Sequence, residues 1–128
     1  MSGVVWDDVE GIGAVPNARN VEYLGFVREM SATSFLALNP RRVRPSPFLD
    51  DAVRTRKPLG RPFLIVRPEN GAWRVVGHEG RGRVGAIAAV LGGSTKIPVC
   101  VFPGRLRRRD LTVDQIEGWR FLPDPRCS

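Results

Sequence analysis

The dipeptide Asn70-Gly71 lies between two apolar, β-branched runs, Pro62-Phe63-Leu64-Ile65-Val66-Arg67 and Ala72-Trp73-Arg74-Val75-Val76-Gly77. Both turn residues tolerate the positive φ that a tight reversal between strands demands, so residues 62–77 predict a β-hairpin with its turn at 68–71. The first run shows no alternation of polar and apolar residues, which predicts a strand buried on both faces.

The flanking segments supply the rest of a small mixed sheet with short helices, an α+β fold. Residues 21–30 are rich in β-branched and aromatic side chains and predict a strand. Ser31 offers an N-cap to a short helix over 34–38 that stops before Asn39-Pro40. Residues 39–47 form a loop in which Pro40, Pro45 and Pro47 surround Arg41, Arg42 and Arg44. Helical spacing of Phe48, Leu49, Ala52 and Val53 predicts a turn or two of helix over 48–56. A glycine-and-charge segment over 77–85 leads into a small-residue helix over 86–91, which Gly92-Gly93 ends. Residues 97–102 predict another strand, with Pro98 placing its start at a sheet edge or first position. The tail predicts a helix over 111–119 that Thr112 caps. Residues 1–20 lack periodicity and read as an arm or edge element before one domain over 21–128.

The chain has 128 residues and a formal charge of +7, enough length for one domain with one core. No apolar run approaches the ~18–20 residues of a spanning helix, and no secretion signal opens the chain. Two cysteines and one histidine do not make the usual four-ligand zinc site, so the expectation is a cytoplasmic, reduced and metal-free protein. Its 20 basic residues are Arg except Lys57 and Lys96. The guanidinium fork suits phosphate, although a GC-rich genome produces the same bias. Trp6, Trp73 and Trp119 stand apart from the basic runs and read as core or interface residues, and Cys100 reads as a buried strand residue.

The segment Val75-Val76-Gly77-His78-Glu79-Gly80-Arg81-Gly82-Arg83-Val84-Gly85-Ala86 carries the most chemistry. A strand ends, glycines permit close backbone approach and a helix begins, which makes a phosphate cradle bordered by two arginines. His78 and Glu79 are the candidate proton-transfer groups beside it. The competing reading is a turn with solvated arginines and a Glu79 ion pair to Arg81 or Arg83. The runs Arg41, Arg42 and Arg105, Arg107, Arg108, Arg109 are candidates for tracking a nucleic-acid backbone, or else solvated loops. Gly11-x-Gly13-x-x-Pro16 lacks the strand and helix of a dinucleotide site. Gly92-Gly93-Ser94-Thr95-Lys96 has P-loop letters in the wrong order.

This order of elements, with Pro58-Leu59-Gly60-Arg61-Pro62 before the hairpin, the glycine–arginine box after it and Ile97-Pro98-Val99 opening the last strand, resembles the ParB/sulfiredoxin-like superfamily over about residues 50–103. The resemblance implies a small α+β domain that binds nucleotide phosphates, CTP in partition-type members and ATP or ADP in sulfiredoxin and related kinases. By position it places Gly77, Gly80, Arg81 and Arg83 in the phosphate box and Glu79 at its acidic position. Gly82 stands where a His-Arg box carries its histidine, and the box has no cysteine, so sulfinic-acid reduction is not expected. Nor are the helix-turn-helix and dimerisation domains of full partition proteins. The resulting expectation is a nucleotide- or nucleic-acid-phosphate-binding domain whose cofactor the sequence leaves open, a nucleotide with Mg²⁺ being the candidate; catalysis, if present, would be phosphoryl transfer or nucleotide hydrolysis. The alternative is a non-enzymatic phage or mobile-element module that binds DNA or a host protein.

Overall fold

The computed structural model describes residues 3–15 and 24–127. Five strands form one mixed sheet in the order β1-β4-β2-β3-β5. They are β1 (Phe26–Ser31), β2 (Phe63–Glu69), β3 (Ala72–Glu79), β4 (Lys96–Phe102) and β5 (Phe121–Leu122). Three helices accompany them: α1 (Ala32–Ala37), α2 (Pro47–Arg54) and α3 (Arg81–Leu91). This is the small α+β fold with a mixed sheet that the sequence predicts. The opening of the strand predicted over 21–30 falls at 21–23, outside the described residues, and β1 begins at Phe26.

Local signals set most boundaries. Ser31 caps α1 by accepting the Ser34 N–H at 3.1 Å. Ser46 does the same for α2 through Leu49 N–H, with Pro47 at the first helical position. Asn70 and Gly71 both adopt positive φ between β2 and β3. β4 lies inside the sheet, antiparallel to β1 and parallel to β2. Its pairing with β2 starts at Cys100, so Pro98 faces only β1 and its missing N–H costs no ladder bond on the second side.

Three expectations are corrected. β2 is not buried on both faces, because Ile65 is 40% exposed while Leu64 and Val66 are buried. The segment after residue 77 is not a loop. β3 continues to Glu79 opposite Phe63, and α3 starts at Arg81 instead of residue 86. Gly80, at φ 105°, makes the break between them in the left-handed region. The predicted helix over 111–119 is only a π turn at Asp114–Gly118. Thr112 and Gln115 cap it reciprocally, through Thr112 N–H to Gln115 Oε1 at 2.7 Å and Gln115 N–H to Thr112 Oγ1 at 3.1 Å. Tertiary donors claim its carbonyls: Trp73 Nε1 bonds Gln115 O, and Arg28 bonds Ile116 O and Trp119 O. An α-helix over this segment would compete with those bonds.

Trp73 is fully buried, with Phe26 5.8 Å and Trp119 4.9 Å from its ring centre. All three tryptophans belong to or pack against the core, as expected of them. Residues 3–15 lie along the 58–60 segment, with backbone bonds joining Val5, Asp7 and Ile12 to Pro58, Leu59 and Gly60. Asp8 and Arg61 form an ion pair at 2.5 Å across this contact. Among the described residues, no helix is long and apolar enough to cross a membrane.

Candidate functional site

His78 and Glu79 are neighbours in sequence and belong to different environments. In an antiparallel pair, directly opposed side chains share a face. His78 opposes the buried core residue Leu64, and Glu79 opposes Phe63, which packs with Cys100. A bulge decides this assignment. Val75 pairs with Val66 and Gly77 with Ile65, which leaves Val76 as an extra residue. Strict alternation from the buried Val75 would put Gly77 on the core face; the bulge puts His78 there.

His78 meets Asn39, whose Nδ2 lies 2.7 Å from Nε2 and 2.9 Å from Nδ1. Asn39 is 2% exposed, and its Oδ1 accepts the Arg41 N–H at 3.4 Å, so its NH2 group faces the imidazole. The imidazole nitrogen that accepts this amide proton carries none of its own. Burial holds the His78 pKa below its ordinary value, assisted by the Arg81, Arg41 and Arg126 charges and opposed by Asp124. Arg81 donates to Leu36 O at 2.9 Å and to Arg41 O, and so anchors the chain after α1 to the first turn of α3.

Asp124 completes this side. It is 1% exposed and accepts from Arg126 N–H at 3.0 Å, Nε at 3.0 Å and Nη2 at 2.7 Å. The Arg126 hydrogen bonds hold its carboxyl at about 2. Arg126 Nη2 also donates to the carbonyl of Val76, the bulged residue. Arg41, His78, Asp124 and Arg126 line a cavity of about 190 Å³. The Arg41 guanidinium makes no hydrogen bond or ion pair among the described residues.

On the other side, Glu79 pairs with Arg83 in a two-bond fork, Oε1 to Nη1 at 2.7 Å and Oε2 to Nη2 at 2.6 Å. Arg83 is 6% exposed, and its Nε donates to Gly60 O at 3.0 Å. A Cβ on Gly13 would stand 2.1 Å from Arg83 Nη1, so the 3–15 segment closes over this arginine. The two box arginines therefore do not converge. Arg81 turns towards His78 and Arg41, while Arg83 is committed to Glu79 and the 60–61 backbone. Gly77 lies within β3 against Ile65, and Gly80 caps α3 without a side-chain hydrogen bond.

Arg42 and Arg44 are exposed on the loop beyond Arg41. Arg105, Arg107, Arg108 and Arg109 are exposed too, but they follow β4 at the hairpin end of the sheet, where Gly104 approaches Val66 O. His78 lies at the opposite end of β3. Cys100 is fully buried, and burial pushes its thiol up to about 11.

Sequence reasoning missed Asn39, Asp124 and Arg126. Asn39-Pro40 signals a helix stop, and Asp124-Pro125-Arg126 carries the local signal of an aspartate that bonds backbone two residues on. Neither signal reports a partner some forty residues away. Among the described residues, no group of three His, Cys, Asp or Glu side chains is placed to hold a metal ion. The arrangement offers guanidinium groups, one neutral imidazole and one occupied carboxylate, which together suit capture of an anion. Comparison of the chain with protein-family models, curated proteins and solved structures finds no match.

Proposed function

We propose that this chain binds the phosphate of a nucleotide or nucleic acid in the cavity beside His78, without proton-transfer chemistry. The observation that carries the reading is the Arg41 guanidinium. Arg41 lines a cavity with Arg126, and its guanidinium has no partner of its own among the described residues. A free planar fork beside a second arginine matches phosphate geometry. The first turn of α3 adds the positive end of a helix with no side-chain cap. Arg81 is the box arginine that serves this side; Arg83 supports the frame. Glu79 is held by Arg83 and the His78 ring by Asn39, so binding is favoured over phosphoryl transfer.

A ParB/sulfiredoxin-like relationship belongs to the same proposal. The hairpin, the glycine-broken entry to α3 and the Ile97-Pro98-Val99 opening of β4 support it. Calorimetric titration with inorganic phosphate, ADP, ATP and CTP, each with and without Mg²⁺, tests the reading. Saturable binding is expected, weakened about tenfold or more by Arg41→Ala, which removes a charged donor. Absence of binding to every one of these ligands overturns it.

A further inference from the structure

The loop between α1 and α2 brings together features that the phosphate site alone does not use. Among the described residues, Phe48 is the only aromatic side chain in the exposed range, at 64%. Every other described aromatic is buried or packs against buried residues. An isolated exposed apolar residue needs no explanation. Phe48 is not isolated in chemistry, because it is the second residue of α2 and Arg41, Arg42 and Arg44 lie on the loop that leads into that helix. All three are exposed, and none of their guanidinium groups has a partner among the described residues.

The loop is also held still. Asn39 is buried against His78 at one end, and Ser46 and Pro47 fix the first turn of α2 at the other. In between, Val43 lies so close to Gly85 of α3 that a Cβ there would stand 2.7 Å from its Cγ1. Leu49, next to Phe48, packs over Gly82, and Arg81 bonds the Arg41 carbonyl. The Arg41 backbone and Leu49 thus rest on consecutive positions at the start of α3, which fixes both ends of the segment that carries the three arginines and leads into Phe48. Asp50 and Asp51 follow on α2 and disfavour phosphate beside its middle turn, with Arg54 only in the last turn. A polyanion at Phe48 therefore meets its nearest run of exposed cations in sequence along 41–44.

We propose that this loop binds single-stranded nucleic acid, with one base stacked on Phe48 and its backbone tracked by Arg41, Arg42 and Arg44. Stacking on an exposed ring beside cations is how single strands are held without reading sequence, and a base paired in a duplex cannot present its face in this way. The inference rests on the phosphate reading above and names its ligand class.

The test compares three probes by fluorescence anisotropy: a labelled dT12, an abasic deoxyribose-phosphate 12-mer of equal charge, and a 12-base-pair duplex. Phe48→Ala is expected to weaken dT12 binding between about fivefold and a hundredfold. It should leave the abasic oligomer unchanged. Phe48→Leu, apolar without an aromatic face, should behave like Phe48→Ala, and Phe48→Trp should retain binding. Equal dT12 affinity for Phe48→Ala and the parent protein overturns the stacking, as does full binding by Phe48→Leu or an equal loss on the abasic probe. A duplex bound more tightly than dT12 overturns the single-strand assignment. If inorganic phosphate and all three probes fail to bind, the phosphate site falls as well; if phosphate binds and dT12 does not, only this inference falls.

Discussion

One peptide bond separates His78 from Glu79, yet they anchor regions built to opposite purposes. Around Glu79 every charge is matched: Arg83 is buried, forked onto the carboxylate and bonded to Gly60 O, with Gly13 against it. Around His78 the positive groups exceed the negative. Arg41, Arg81 and Arg126 act on His78 against one carboxylate, Asp124, and Arg41 lines the cavity with its guanidinium unpaired among the described residues. The first region resembles a structural clamp, the second an anion site. Arginine is thus informative only with its partners: Arg83 lost its capacity for an external ligand by gaining an internal one.

The sharpest way to break this contrast is Arg83→Ala. Removing one partner of a largely buried pair strands the other and also the Gly60 carbonyl. A loss of about 2–3 kcal/mol is expected, below the ~3–5 kcal/mol of a fully buried pair because Glu79 keeps some water contact. Chemical denaturation should record it, with a Tm lower by roughly 10 °C. Glu79→Ala added to Arg83→Ala should recover part of the loss; a fully additive double variant would show that the pair is not coupled.

The pH dependence of stability probes the other side. The His78 pKa lies below its ordinary 6.5, so as pH falls the unfolded chain takes up this proton before the folded one does. His78 therefore contributes stability that is full above about pH 6.5 and declines below it. Asp124 is held at about 2 against an ordinary 3.8, so its contribution is present above about pH 3.8 and is lost as pH falls towards 2. Urea midpoints measured from pH 7 to pH 2 should show both steps. His78→Gln should remove the first and Asp124→Asn the second; a first step that survives His78→Gln would assign it elsewhere. The smallest effect is expected of Arg41→Ala on folding, within about 0.5 kcal/mol, since its guanidinium holds nothing in place. A larger loss would place Arg41 in the frame and weaken its role as a ligand group.

The parts of the fold legible in the sequence are those fixed by neighbours along the chain. Asn70-Gly71 dictates a reversal because few other residues reach its backbone angles. Ser31 and Ser46 start helices because their hydroxyls satisfy N–H groups two or three residues on. The helix expected over 111–119 failed because Trp73 and Arg28, distant in sequence, take the carbonyls that it would need.

The candidate site divides along the same line. Its central residue and one of its arginines were visible in the glycine-rich segment after the hairpin. The pairing of Glu79 with Arg83 was one of two readings the spacing allowed. That His78 and Glu79 part company depends on one extra residue, Val76, in the ladder between β2 and β3. Asn39, Asp124 and Arg126 join His78 only because the ends of α1 and β5 meet the end of β3. Local backbone preference is written residue by residue and survives in the bare sequence. The choice of which charges meet is made when distant segments desolvate one another, and here that choice separated the arginine that holds the fold from those that face a cavity.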